Sequence, residues 1–296
     1  VRRNGLLSAL VLAAALNLMA SAHAADGDAA PTRADVTFAT VDGHALKLDL
    51  YMPRAANPPL LVWVHGGGWS RGSKEGVDAI ALVREGYAIA SIDYRLSPVA
   101  KFPAQVHDIK AAVRFLRGKA RDYGYDATRI GIMGSSAGAH LAALAGVTNG
   151  MAEYEGRVGA DLGQSSAVRV IVSYYGASNL TSILRQSTPF GVGVRTPALE
   201  LLLGGGPEAK PELARMASPV FQVDARDPPL LLLHGDQDPQ MPINQSHELH
   251  AAYKENGLPV AFEVVHGAVH GGDMFYDAKR TAIVKAFLDR HLKAAQ

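Results

Sequence analysis

The sequence contains no cysteine. That excludes a disulfide framework, a thiol nucleophile and any thiolate-held metal. It also lacks a dominant sign of charge: 29 Lys and Arg stand against 28 Asp and Glu, a formal net charge of +1. No block of like charges stands out, so nothing marks a nucleic-acid binder. Internal repeats are missing, which excludes a solenoid or propeller. The longest apolar stretch, Gly5 to Ala20, is shorter than the ~20 residues of a spanning helix and carries Asn17. It follows Arg2 and Arg3 and precedes Ala22-His23-Ala24, a small-x-small pattern. This is the layout of a secretory signal peptide over residues 1–24, cleaved after Ala24, with a membrane anchor as the alternative. The expectation is a secreted or periplasmic protein with no membrane anchor once the signal is removed. No cysteine is available there for a lipid anchor. Residues 25–33 are small, polar and Pro-containing and read as a tether.

What is present is ordinary globular material: 48% of residues are hydrophobic and 19% charged, enough for one domain over residues 34–296. Asp35 to Val41 and Ala45 to Tyr51 alternate around Asp42-Gly43, which predicts a β-hairpin. Continuous apolar runs follow at Leu60 to Val64, Tyr87 to Ile92, Ile130 to Met133, Val168 to Val172, Leu230 to Leu233 and Phe262 to Val265. Runs of this kind suit strands covered on both faces of a parallel sheet. Helical patterns lie between them, at Val106 to Leu116, Ala137 to Leu144, Ile243 to Asn256 and Ala278 to Leu292. Strand and helix alternate, so the fold class is α/β: a mostly parallel, doubly wound sheet with an N-terminal antiparallel hairpin. Thr181 to Met216 breaks the alternation with five glycines and four prolines. It reads as an insertion over the carboxyl edge of the sheet, forming a lid or pocket wall, where ligands of such sheets bind.

The strongest chemical signal is Gly134-Ser135-Ser136-Ala137-Gly138. Gly-x-Ser-x-Gly between a strand and a helix is a nucleophile elbow, whose tight turn demands near-absent side chains on either flank. Upstream, His65-Gly66-Gly67-Gly68-Trp69 follows the strand Leu60 to Val64. No Lys-Ser/Thr pair in P-loop spacing follows, so phosphate is a poor ligand for it. With an elbow downstream, the backbone N–H groups of Gly67, Gly68 and Ala137 become candidate donors to an oxyanion. His65 reads as a loop-fixing residue. A nucleophilic serine needs a base and an orienting acid, in the chain order Ser, acid, His. Asp238 lies in the loop after Leu230 to Leu233 and is favoured over Asp236, which sits where a turn residue would. His270 lies well out in the loop after Phe262 to Val265 and is favoured over His266, because the base must reach back to Ser136. His247 and His250 share an i, i+3 spacing but lack a third ligand, so a solvated helix face is the reading. His140 reads as a packed helix residue. Trp63 and Trp69 read as core and pocket wall.

These stretches, with Asp93-Tyr94-Arg95-Leu96-Ser97-Pro98, Phe102-Pro103-Ala104 and Ala217-Ser218-Pro219, resemble the hormone-sensitive-lipase-like carboxylesterases of the α/β-hydrolase fold. The likeness is greatest to the bacterial branch with feruloyl- and acetyl-esterase-like members. The resemblance implies Ser136, Asp238 and His270 as a triad, an oxyanion hole from the glycine motif and Ala137, a small-molecule ester substrate, and no metal or organic cofactor. Ala139 and Met241 depart from the usual pattern, where Gly and Val are common. Kynurenine formamidases carry a similar His-Gly-Gly-x-Trp loop, so amide or peptide cleavage stands as an alternative. A catalytically inactive hydrolase fold used for binding is an alternative of another class. Oligomeric state and natural substrate are not legible.

Overall fold

Alternating apolar and polar side chains around Asp42-Gly43 do close a hairpin. The computed structural model describes residues 30–293, and the expected signal segment lies outside them. Strand β1 (Arg33–Val41) pairs antiparallel with β2 (His44–Tyr51). Arg33, placed in the tether by sequence, opposes Leu50 in this ladder. β2 pairs antiparallel with β4 (Ala88–Ile92), and from there the sheet is parallel. β3 (Pro59–Val64), β5 (Asp126–Ser135), β6 (Ile171–Tyr174), β7 (Leu230–Gly235) and β8 (Val260–Val265) complete the order β1-β2-β4-β3-β5-β6-β7-β8.

The continuous apolar runs are explained by two coverings. Along β3, Leu60, Val62 and Val64 pack into one cluster while Leu61 and Trp63 pack into another on the opposite face. The first face carries α1 (Ala104–Tyr123), α2 (Ala137–Val147) and, further along the chain, α7 (Asn244–Glu255). Between α2 and α7 come a short α3 (Ala152–Glu155) and three helices after β6: α4 (Ile183–Gln186), α5 (Pro189–Leu203) and α6 (Pro211–Met216). The second face carries α8 (Ala278–Leu288). Each fully buried Val, Leu or Ile contributes roughly 1.5–3 kcal/mol. Both faces must therefore be covered before these strands are stable.

Several bounds differ from expectation for local reasons. α1 runs on to Tyr123 and stops where Gly124 takes a left-handed conformation and returns its N–H to Ala120. β6 starts at Ile171, three residues later than the apolar run. Val168 is taken out of the ladder because the Asn149 amide bonds both its N–H and its C=O.

Candidate active site

Four loops meet at the carboxyl edge of the parallel strands: those after β3, β5, β7 and β8. Ser136 directly follows β5 and caps α2 with φ 54° and ψ −118°, a strained turn. Two residues to either side of it, no side chain larger than hydrogen fits. A Cβ on Gly134 would stand 2.5 Å from the Val64 carbonyl oxygen, and one on Gly138 only 2.1 Å. The Ser136 N–H donates to the Tyr174 carbonyl at 2.9 Å, fixing the turn to β6.

Ser136 Oγ lies 2.8 Å from His270 Nε2. His270 Nδ1 lies 2.6 Å from Asp238 Oδ2. The Asp238 side chain is fully buried, and its Oδ1 accepts the N–H groups of Gln240 and Met241, each at 2.8 Å. Burial pushes its carboxyl up, but hydrogen bonds from His234 and His270 more than reverse this and hold it well below the usual carboxylate range. It is therefore ionised and accepts from Nδ1–H, which leaves Nε2 of His270 as an acceptor toward the serine. Burial, against the pull of Asp238, lowers the His270 imidazole below its ordinary value.

The glycine loop lies across from this relay. A Cβ on Gly66 would come within 3.4 Å of the Ser136 Cβ. Gly67 and Gly68 hold positive φ values of 106° and 59°. Among the described residues their N–H groups join none of the loop and turn hydrogen bonds. Ala137 opens α2, so its N–H has no acceptor within the helix. Ser136, His270 and the loop line one cavity of ≈ 450 Å³, walled on the far side by Val194, Arg195, Pro197, Ala198 and Leu201 of α5. The 181–216 segment thus contributes the pocket wall.

Residues 48–253 match the model of the BD-FAE family, well over half of the chain. The chain belongs to the BD-FAE family. The match carries the glycine loop, Ser136 and Asp238 and stops short of His270. Among its relatives is the esterase LipQ of Mycobacterium tuberculosis, 33% identical over 78% of this chain and 54% of that protein. The esterase LipC of the same organism is 31% identical over 75% of this chain and 55% of its own length. The chain thus spans about half the length of the curated relatives it matches. Among solved structures, a truncated carbohydrate esterase from gut microbiota has a TM-score of 0.81 at 30% identity, covering 90% of this chain and 98% of that one.

This BD-FAE chain also settles its competing residues in space. Asp236 and His266 pair with each other, Oδ2 to Nδ1 at 2.8 Å, and Asp236 Oδ1 accepts the Gly267 N–H. They join the same two loops as Asp238 and His270, but out at the surface, with no link to Ser136. His65 stacks on Tyr94, rings 4.4 Å apart, and bonds the Gly66 carbonyl through Nδ1, so it holds the loop. His140 is buried between Trp69 Nε1 and the Ala217 carbonyl. Trp69 is therefore core and does not line the cavity, contrary to its expected place in the pocket wall. His247 is exposed and His250 partly so, as a solvated helix face predicts, and both rings lie against Phe262. Sequence reasoning missed three residues here. Tyr175 sets its ring edge against His270, His234 faces Asp238 at 3.4 Å, and Arg195 is buried in α5. Only Arg195 carried a signal, a lone cation in the apolar stretch Gly191 to Leu203.

Proposed function

We propose that the protein hydrolyses carboxylic esters through an acyl-enzyme on Ser136. The observation that carries this is the unbroken relay from Ser136 to His270 to Asp238 at 2.8 and 2.6 Å, opening on a cavity. Oγ adds to the ester carbonyl as its proton passes to Nε2 of His270. The new oxyanion accepts from the N–H groups of Gly67, Gly68 and Ala137. Losing one such donor costs roughly 3–4 kcal/mol of barrier. The imidazolium, stabilised by Asp238, then protonates the departing alkoxide. Water enters, gives a proton to the same nitrogen and releases the acid. The relatives named above are esterases, and the amidase and binding-protein alternatives find no support among them.

The leaving alcohol we propose is polar. Beside the glycine loop lies a second, more open cavity of ≈ 600 Å³ that includes Arg71, Ser73, Glu75, Asp78 and Ser135, with no aliphatic side chain in its lining. Guanidinium, hydroxyl and carboxylate groups together suit the hydroxyls of a sugar, in keeping with the carbohydrate esterase named above. The α5 wall is mostly apolar and suits a short acyl or aryl group. Export belongs to the same reading, supported by the pattern of residues 1–24 and tested by sequencing the N-terminus of the mature protein.

Ser136→Ala decides the reaction. Hydrolysis of p-nitrophenyl acetate should fall by at least ~10⁴-fold while the circular dichroism stays unchanged. Wild-type protein should label with a fluorophosphonate and the variant should not. Retained turnover in Ser136→Ala would remove the proposal.

A further inference from the structure

Helix α5 does more than line the cavity. Its N-cap, Thr188, donates from Oγ1 to the Pro239 carbonyl at 2.9 Å. Gly191, one turn on, approaches the carbonyls of Pro239 and Gln240 so closely that a Cβ would stand 3.0 and 3.2 Å from them. A further turn on, Arg195 donates from Nε to the Gln240 carbonyl at 3.1 Å. The spacing puts all three on one stripe of the helix. That stripe faces the loop carrying Asp238.

The other ends of the same peptide groups face the acid. The Pro239 carbonyl and the Gln240 N–H belong to one planar peptide, and the Gln240 carbonyl and the Met241 N–H belong to the next. Both N–H groups donate to Asp238 Oδ1. Two consecutive peptides are therefore gripped at the oxygen by α5 and at the nitrogen by the catalytic acid. Arg195 is an expensive way to grip one. It is 2% exposed, and its Nη2 has no hydrogen-bond partner among the described residues. A buried cation with an idle donor calls for a role beyond scaffolding.

We propose that Arg195 and Thr188 are positioning residues that hold the 239–241 peptides so that Asp238 stays aimed at His270. The inference rests on the assignment of Ser136, His270 and Asp238 above. The cation has a second effect. The groups facing His270 are Asp238 and His234 from β7 and its loop, Arg195 from α5, and the phenol of Tyr175 from the end of β6. Burial first, then Arg195 and His234, disfavour the imidazolium, and Asp238 favours it. The guanidinium itself, lowered by burial to about 10, stays charged at neutral pH. Removing it lets His270 take a proton at higher pH, so the acid limb of kcat/KM moves upward.

The experiment compares Arg195→Met, Arg195→Lys and Thr188→Val with wild type and Ser136→Ala, using p-nitrophenyl acetate from pH 4.5 to 8.5. Arg195→Met should lose about tenfold or more in kcat with little change in KM, since small displacements of catalytic groups are costly. Its acid limb should rise by a few tenths of a pH unit. Arg195→Lys should return the limb to its wild-type position and recover only part of kcat. Thr188→Val should lower kcat severalfold and leave the limb in place. A wild-type kcat and limb in Arg195→Met, or a change in KM alone, would overturn the inference. If Arg195→Met melts below the assay temperature, an unchanged kcat in Thr188→Val overturns it instead. Activity in Ser136→Ala would sink the esterase reading itself, which these other variants leave standing.

Discussion

Ser136 holds a backbone conformation that costs ~1–3 kcal/mol wherever it occurs. The surrounding chain imposes it through the Tyr174 carbonyl and through two glycines with no room for a methyl. Gly138→Ala would drive a Cβ into the Val64 and His65 carbonyls at 2.1 and 2.4 Å. The expected result is loss of fluorophosphonate labelling and a thermal midpoint several degrees lower. Gly163→Ala, where a Cβ meets nothing within 4 Å, should change neither. His270 gives a second test at this scale. It acts as a neutral base, and burial holds its pKa below 6.5. kcat/KM should therefore rise through an apparent pKa under 6.5 and level off by neutral pH. A limb centred above 6.5 would contradict the burial of the imidazole. The residues of the relay were legible because their signals are local: an elbow spacing, two strand-end loops and a fixed chain order. Asp236 and His266 were separable from Asp238 and His270 by distance from the strand end alone. Arg195 was not legible as part of the site, because its partner, the Gln240 carbonyl, lies 45 residues away and has no sequence signature.

Between elements, α2 and α5 carry the site's dependence on its surroundings. His140 of α2 ties the glycine-loop Trp69 to the Ala217 carbonyl, and burial lowers its pKa to about 4. In the unfolded chain it titrates near 6.5. Protons are then taken up on unfolding between these values. The stability present above pH 6.5 should drop as pH falls toward 4, by on the order of 3 kcal/mol. Urea melts at pH 7.5 and 4.5 should show that drop in wild type and a smaller one in His140→Gln. On α5, the Ala198 methyl stands over Gly68, at the 4.0 Å limit of contact for a Cβ there. Ala198→Leu should cut p-nitrophenyl butyrate turnover about tenfold relative to acetate, by crowding the acyl side of the cavity. Equal losses on both esters would place the acyl group elsewhere. The insertion's existence was readable from its length and glycines. Its grip on the acid loop was not, since that depends on which stripe of α5 turns inward.

Across the whole molecule, the order of strands follows from alternation of apolar runs with helical stripes, and the parallel core was readable for that reason. Less readable was the polar joint that fastens α1 to the chain ahead of β6. Lys110 and Arg114, both buried in α1, share Glu155 of α3 at 3.1 and 2.8 Å, and Ser166 donates to the same carboxylate at 2.6 Å. A helical stripe containing Lys and Arg reads as a wet face, and only the long-range partner reverses that reading. Glu155→Gln leaves two cations short of their counter-charge and should cost roughly 3 kcal/mol in chemical denaturation, with kcat nearly unchanged.

Gly66, Gly67, Arg71 and Ser135 line both cavities. A partition shared in this way lets the two halves of a substrate leave by different doors. On the proposed reading, the alcohol departs through the open groove while the acyl half is still bonded to Ser136. On the same reading, water or another polyol returning along that groove competes for the acyl carbon. Glycerol added to the assay should therefore divert acyl groups into glyceryl esters at the expense of free acid, a partition visible by chromatography of the products.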